Sequence, residues 1–167
     1  MMKKYLIFTS LAGATIALDQ WSKLLIYTQF TLGESITVLE NYFNITFVRN
    51  FGAAFGFLAE SHPEFRTYFF LLIPPLAMLL VVGILRGVAM TDKLQTIALS
   101  LIFGGALGNY IDRLRFGFVV DFLDFHFQGK YSWPAFNVAD MAIVIGIAIL
   151  ALLIKNEPKK NNSAVTS

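Results

Sequence analysis

The chain contains no cysteine, and this absence excludes several kinds of chemistry at once. Disulfide bonds, thiolate catalysis and cysteine-bound zinc are all ruled out. Histidine is scarce as well: His62 and His126 are the only two, and neither has the spacing of a metal-ligand set or of a Ser–His triad. No Gly-x-Ser-x-Gly motif supplies a nucleophile for His126. Cysteine chemistry is therefore excluded, and the pattern of a Ser–His hydrolase is missing.

Charged residues are also few, at 14% of a 167-residue chain in which 56% of the residues are hydrophobic. A soluble domain would carry about 25% charged residues, so the composition predicts a membrane protein. Four apolar stretches, residues 5–27, 67–85, 94–112 and 138–154, each approach the roughly 17–25 residues that a helix needs to cross a bilayer. We expect a mainly α membrane protein, a four-transmembrane-helix bundle that forms one integral membrane domain over residues 1–167.

The first apolar stretch begins like a signal peptide, since Lys3 and Lys4 precede an apolar core. The stretch continues beyond that core into Asp19-Gln20-Trp21-Ser22-Lys23, and it has no Ala-x-Ala cleavage site. We interpret it as an uncleaved first span.

The segments outside the spans differ in character. Residues 31–58 are rich in β-branched and aromatic residues, which predicts a small extracytoplasmic β-sheet between spans 1 and 2. Residues 116–135 are expected to form a second extracytoplasmic loop, dense in phenylalanine, and residues 156–167 a disordered tail. Within the spans, Pro74-Pro75 predicts a kink in the second span. The small residues of Gly104-Gly105-Ala106-Leu107-Gly108 predict close approach of the third span to its neighbours.

Basic residues divide between the two sides of such a bundle. One side holds Lys3, Lys4, Arg86, Lys93, Lys155, Lys159 and Lys160, and the other holds Arg49, Arg66, Arg113, Arg115 and Lys130 together with nearly all the acids. The positive-inside rule then places both termini in the cytoplasm.

Polar side chains collect at one end of the bundle, where span 1 ends, span 2 begins, span 3 ends and span 4 begins. They are Asp19, Lys23, Asn50, Asn109, Asp112, Arg113, Asp121, Asp124, Asn137 and Asp140. Acids near the membrane are costly and are usually retained for a function. This end, which the charge distribution makes extracytoplasmic, is therefore expected to hold the active site.

Asp121 and Asp140 are the two acids on which we base an activity. Two carboxylates that converge at one depth can share a proton and carry out acid–base chemistry on water. Asp124 lies three residues after Asp121: the two share a face if the segment is a helical turn and point in opposite directions if it is extended. In either case we expect only one of them to reach the centre.

Structural roles compete with functional ones at several of these positions. Asn137 and Asp140 fit the N-cap and the third position of a helix, where the helix dipole favours a carboxylate. Asp19 and Lys23 are spaced i, i+4, so they can form a neutralised pair on one helix face.

The remaining polar residues allow similar alternatives. Asn50 precedes a Gly-rich segment and fits ordinary turn chemistry. Asp112 and Arg113 are adjacent, so on a helix they cannot face each other and should find partners on neighbouring helices. With Asn109 they form either a polar network that closes the end of the bundle or a set of groups that position a substrate.

Five motifs resemble, in order, those of the bacterial lipoprotein signal peptidase (signal peptidase II) family. They are Asp19-Gln20-Trp21-Ser22-Lys23, Arg49-Asn50-Phe51-Gly52-Ala53-Ala54-Phe55, Gly104-Gly105-Ala106-Leu107-Gly108-Asn109-Tyr110-Ile111-Asp112-Arg113, Val119-Val120-Asp121-Phe122 and Phe136-Asn137-Val138-Ala139-Asp140. The match extends from span 1 to span 4 and covers nearly the whole chain. Met141 stands where a small residue would be more usual.

The resemblance implies an aspartic endopeptidase of the bacterial cytoplasmic membrane that cleaves prolipoproteins just before a diacylglyceryl-modified cysteine. It implies that Asp121 and Asp140 are catalytic. The supporting or substrate-binding positions that it implies are Asp19, Lys23, Asn50, Asn109, Asp112, Arg113 and Asn137. We expect the partners to be membrane lipids and lipidated precursors, and not nucleic acid. We also expect a monomer that uses no metal or other cofactor.

Two other kinds of function also use such acids. A proton- or ion-coupled transporter would retain intramembrane carboxylates, but it should place some of them at mid-bilayer along a path through the membrane. The cytoplasmic halves of all four predicted spans contain no acid. A metal-dependent hydrolase would use Asp and Asn oxygens around a divalent ion. A non-catalytic membrane scaffold gives no reason for paired carboxylates.

Overall fold

The computed structural model describes residues 2–52, 58, 61–128 and 131–155. Four helices occur in this part of the chain: α1 (Met2–Gln29), α2 (Pro63–Gly87), α3 (Lys93–Phe116) and α4 (Val138–Lys155). They contain the four predicted apolar stretches and extend beyond them, most of all at the start of α2 and at the end of α3. The predicted tail at 156–167, most of the segment after Gly52, and Lys130 lie outside the described residues.

Local sequence explains where the helices begin and end. Pro63 occupies the start of α2, where its missing N–H costs nothing. Asp92 caps α3 by accepting a hydrogen bond from the backbone N–H of Gln95 at 3.0 Å. Gly117 ends α3 in the left-handed conformation, with φ of 77°, which glycine adopts without strain. The helix α2 is continuous through Pro74 and Pro75.

A small antiparallel sheet covers one end of the helices. Its strands in the described residues are β1 (Ser35–Leu39), β2 (Phe43–Asn50), β3 (Val119–Phe127) and β4 (Tyr131–Ser132), in that order across the sheet. The predicted sheet between the first two helices is present. It is not confined to that segment, however, because half of its strands come from the loop between α3 and α4. The loop's phenylalanine-rich sequence was not predicted to be a strand.

The sheet is joined to the helices by an apolar cluster. Ile26 of α1 packs with Phe47 of β2 and with Val120 and Phe122 of β3. Because neighbouring side chains on a strand point to opposite faces, regular alternation would not bury both Val120 and Asp121. Both are nevertheless buried, since Val120 packs in this apolar cluster while Asp121 is bound by the side chains of Asn50 and Asn137. This packing holds β3 against the ends of α1 and α3.

The glycines of α3 permit its close approach to two other helices, as predicted. A Cβ at Gly104 would lie 2.9 Å from the Cβ of Thr15 on α1, and a Cβ at Gly105 would meet the backbone oxygen of Ala139 on α4. Small residues at such contacts allow helix backbones to pack directly in a membrane. The helix α3 therefore lies between α1 and α4 and brings their polar ends together.

Among the described residues, three helices, α2, α3 and α4, are long and apolar enough to cross a membrane. The helix α1 has sufficient length, at 28 residues, but a less apolar sequence that includes Asp19 and Lys23. These polar residues are buried against α3 and α4 rather than exposed at the outer face of the bundle.

Candidate active site

Asp121 lies on β3 and is almost fully buried, with 1% of its surface exposed. Strand pairing places it opposite Val48 of β2. Its Oδ2 accepts a hydrogen bond from Asn50 Nδ2 at 2.9 Å, and its Oδ1 accepts one from Asn137 Nδ2 at 2.6 Å. Burial, followed by the nearby charge of Asp140, raises the pKa of Asp121 to about 7. A carboxyl group with such a pKa can hold a proton at neutral pH.

Asp140 occupies the third position of α4, and Asn137 is the N-cap, as the sequence predicted. The backbone N–H of Asp140 donates to Asn137 Oδ1 at 3.0 Å, and the backbone N–H of Asn137 donates to Asp140 Oδ2 at 3.2 Å. These reciprocal bonds form a capping box. The other carboxylate oxygen, Oδ1, accepts a bond from Asn109 Nδ2 at 2.8 Å. Asp140 is only half-buried, unlike Asp121.

Asn137 links the two carboxylates directly. Its side-chain amide donates to Asp121, its backbone N–H donates to Asp140, and it is itself fully buried. Its Nδ2 also lies 3.1 Å from Asn109 Oδ1, so the two asparagines connect to each other as well as to the acids. The structure therefore brings Asp121 and Asp140 into one hydrogen-bonded group.

Asp124 takes no part in this group. Because β3 is an extended strand, Asp124 lies on a different part of it from Asp121 and accepts a hydrogen bond from Thr46 Oγ1 at 3.1 Å. The extended alternative considered for this segment is thus correct.

A cluster of charged side chains supports the site from behind. Lys23 of α1 makes ion pairs with Asp19 at 2.9 Å and with Asp112 of α3 at 3.1 Å. Asp19 Oδ1 accepts the backbone N–H of Ala139 in the first turn of α4 at 2.9 Å, and Asp112 Oδ2 accepts that of Val120 on β3 at 3.0 Å. The cluster therefore holds both elements that carry the paired acids. The predicted i, i+4 pair is confirmed.

Arg113 and Asn50 connect the site to the segment after β2. Arg113 Nη2 donates to the backbone oxygen of Gly52 at 2.8 Å, and its guanidinium lies 4.4 Å from the ring centre of Phe70 on α2. The backbone N–H of Gly52 donates to Asn50 Oδ1 at 2.9 Å, which is the turn chemistry predicted for Asn50. Because Asn50 also binds Asp121, this turn aims its amide at the acid.

Gln20 belongs to the supporting cluster, although sequence reasoning did not select it. Its Nε2 donates to Asp112 Oδ1 at 2.8 Å and to the backbone oxygen of Gly108 at 3.1 Å. It also donates to Oδ2 of the adjacent Asp19 at 3.2 Å, a contact that helix spacing does not predict. Its position inside the first motif was the only available signal.

A cavity of about 320 Å³ opens beside Asp140. Its polar wall includes Asp140 and Asn50, and its apolar wall includes Trp133 and Met141, with Val144 and Ile145 along α4. A cavity with a few polar groups in an apolar lining is typical of a binding site. Met141, at the position where the resemblance led us to expect a small residue, is therefore part of the cavity wall.

The arrangement has the parts of a membrane-associated acid–base enzyme: two linked carboxylates, one buried on a strand and one facing a cavity at the start of a membrane-length helix. A family model described as signal peptidase (SPase) II matches residues 11–155. The chain therefore belongs to the signal peptidase II family.

Curated relatives support this assignment. A lipoprotein signal peptidase of Syntrophus aciditrophicus (strain SB) is 43% identical over 162 residues, which cover 96% of this chain and 100% of the relative. A lipoprotein signal peptidase of Desulforapulum autotrophicum is 49% identical over 134 residues, 80% of this chain and 82% of the relative.

The fold is also similar to that of a solved structure. A bacterial membrane enzyme determined by the in meso method at 2.3 Å resolution is similar with a TM-score of 0.81 and 34% identity, over 95% of this chain and 94% of that chain. The protein is thus an aspartic endopeptidase of the bacterial inner membrane that takes part in lipoprotein processing, with prolipoproteins as its substrates.

Proposed function

We propose that Asp121 and Asp140 are the catalytic dyad that hydrolyses the peptide bond just before a diacylglyceryl-modified cysteine. The observation that carries this proposal is the position of the two acids in one hydrogen-bonded group, with Asp140 facing the cavity. Two close carboxylates resist double ionisation, so the pair holds one proton at rest. Asp121 keeps that proton, because it is the more deeply buried acid and its pKa is raised to about 7.

The reaction follows from this distribution of the proton. Ionised Asp140 takes a proton from water, whose oxygen attacks the scissile carbonyl carbon. Protonated Asp121 transfers its proton to the carbonyl oxygen, so a neutral tetrahedral diol forms while Asp140 is protonated and Asp121 is ionised. As the C–N bond breaks, Asp140 gives its proton to the nitrogen of the cysteine and Asp121 takes a proton from the diol, which restores the starting state of the pair. The products are the carboxyl end of the signal peptide and the free amine of the lipidated cysteine.

The remaining polar residues have supporting roles in this proposal. Asn50, Asn109 and Asn137 orient the two acids through their amides. Asp19, Lys23 and Asp112 hold the first turn of α4 and the start of β3. Arg113 fixes the backbone that follows Asn50. No metal or other cofactor enters the proposed reaction.

The proposal includes the topology of the chain. All four helices cross the inner membrane within one domain, both termini are cytoplasmic, and the sheet and the dyad lie at the extracytoplasmic face. Burial of the polar residues of α1 supports its inclusion as a span, since their charge is neutralised inside the bundle. The sheet covers the substrate from outside the membrane, and the enzyme acts as a monomer.

The decisive experiment replaces each acid by its amide. Asp121→Asn and Asp140→Asn are expected to give folded proteins that lower cleavage of a lipidated precursor by about 10²–10⁴-fold, because general acid–base chemistry is lost. Asp124→Asn is the matched control: it lies on the same strand, binds Thr46, and should retain wild-type activity. Cleavage is measured with purified enzyme in lipid nanodiscs, and folding by thermal unfolding.

Two outcomes would contradict the dyad. The first is normal cleavage by either Asp121→Asn or Asp140→Asn. The second is loss of activity in the presence of a chelator with recovery on addition of a divalent ion, which would favour the metal-dependent alternative.

A further inference from the structure

Lys23 has a buried ammonium group whose hydrogen-bonding capacity is fully used. Only 3% of its surface is exposed, and its Nζ contacts Asp19, Asp112 and Asn109. A lysine ammonium has three N–H donors and no acceptor. Two of these contacts neutralise its charge. The third, to Asn109 Oδ1 at 2.8 Å, is directed toward the active site.

This third contact determines which way the Asn109 amide faces. Asn109 Oδ1 accepts from Lys23 on one side and also lies 3.1 Å from Asn137 Nδ2. Its Nδ2 must then face Asp140, to which it donates at 2.8 Å. A flipped amide would place N–H groups against the ammonium and an oxygen against the carboxylate, and both contacts would be repulsive.

We infer that Lys23 is a positioning residue for the reaction, which holds the Asn109 amide in the orientation that binds Asp140. It acts on Asp140 through Asn109, because its described hydrogen bonds and ion pairs reach neither Asp121 nor Asp140. Its charge also lowers the pKa of Asp121, so kcat is compared at the plateau of each variant's pH profile. A fixed donor on Asp140 keeps its carboxylate aligned toward the cavity, and small misalignments of a catalytic group are costly in rate. This inference rests on the proposed role of the Asp121–Asp140 dyad.

A second buried lysine on the same helix offers a matched control. Lys4 is 4% exposed, and its Nζ donates to the backbone oxygens of Leu85 and Val88 at 2.8 Å each. It therefore stabilises the end of α2 at the opposite end of the bundle. Its removal costs stability, like removal of Lys23, but it has no connection to Asn109 or Asp140.

The main test variant is Asp19→Asn/Lys23→Met, which removes one charge of each sign and leaves Asp112 held by its hydrogen bonds from Gln20 and from the backbone N–H of Val120. Relative to Asp19→Asn alone, we expect kcat on a lipidated precursor to fall about 100-fold. KM should change less than about threefold, because Lys23 is not among the residues that line the cavity. Lys4→Met should lower the melting temperature and leave kcat per folded enzyme unchanged.

A double-mutant cycle shows whether Lys23 acts through Asn109. If it does, Asn109→Ala lowers kcat by itself, and addition of Asp19→Asn/Lys23→Met causes no further loss in single-turnover assays. Three results would overturn the inference: losses that multiply in the double-mutant cycle, a change in KM instead of kcat, or an equal loss of kcat in Lys4→Met.

If the Lys23 variants are fully active while Asp140→Asn is inactive, the positioning role fails and the dyad stands. If Asp140→Asn is active, the dyad itself fails.

Discussion

Asp140 shows how one residue can satisfy a structural and a chemical requirement with the same hydrogen bonds. The bond from the Asn137 backbone closes the first turn of α4 and also holds one oxygen of the carboxylate. The other oxygen is held by Asn109, which a capping role does not require. The structural explanation considered for Asp140 is therefore correct, and it does not account for all of the contacts of the residue.

The pKa of Asp121 gives a prediction for the pH dependence of the reaction. Because protonated Asp121 is the proposed acid, kcat/KM should fall as pH rises above about 7. The hydrogen bond from Asn50 lowers the pKa of Asp121, so Asn50→Ala should raise that pKa. We expect the alkaline limb of the kcat/KM profile of this variant to move to higher pH, whatever its absolute rate.

The comparison is made with purified wild type, Asn50→Ala and the control Asp124→Asn over the same pH range. Asp124→Asn should retain the wild-type limb, since Asp124 binds Thr46 instead of the acids. A limb that moves to lower pH in Asn50→Ala would argue against protonated Asp121 as the acid.

At the scale of single residues, the sequence selected most of the polar residues that the structure brings together, because acids, amides and a lysine are conspicuous in apolar surroundings. Its limits are clear at Asp124 and Gln20. The residues alone did not show whether the segment containing Asp121 and Asp124 is helical or extended. The choice of Asp121 over Asp124 therefore came from the motif. Gln20 was missed because its role depends on a contact with Asp112 that is 92 residues away in the chain.

The helices were predictable as elements, since length and apolar composition are local properties, but β3 was not. Its sequence, Val119 to Phe127, lacks the alternation of a half-buried strand. It becomes a strand because β2 pairs with it along one edge and α1 and α3 cover it. Tertiary packing overrides local pattern here, as is common for strands.

The contact between α3 and α4 gives a prediction at the scale of elements. A methyl group at Gly105 would meet the Ala139 backbone and lie 2.8 Å from Ile143 Cγ1, so Gly105→Ala must push α4 away next to Asp140. We expect a loss of stability of about 1–3 kcal/mol and a fall in kcat of roughly 100-fold.

The matched control is Gly13→Ala on α1, where an added methyl group meets nothing within 4 Å. This variant should keep both activity and melting temperature close to those of the wild type. Equal behaviour of the two variants, measured by precursor cleavage and thermal unfolding, would show that close packing of α3 on α4 is not required.

For the molecule as a whole, the absence of cysteine makes the proposed topology directly testable. Single cysteines at Ser35 on β1 and Ser132 on β4 should react with a membrane-impermeant maleimide in intact spheroplasts. A cysteine at Thr91, between α2 and α3, should react only after the membrane is permeabilised. All three positions are exposed. Labelling of Thr91→Cys from outside, or protection of both strand positions, would contradict the four-span arrangement.

The sequence by itself determined the class of protein, the number of long apolar segments and the set of polar residues at one end of them. Those properties depend on composition and spacing, which are local. Only the tertiary structure decided which of these residues meet. The pairing of β2 with β3 selects Asp121, and the glycines of α3 let α4 approach closely enough for Asn109 to reach Asp140. Such contacts depend on strand register and on helix separation. Both are determined jointly by residues that are distant in the chain.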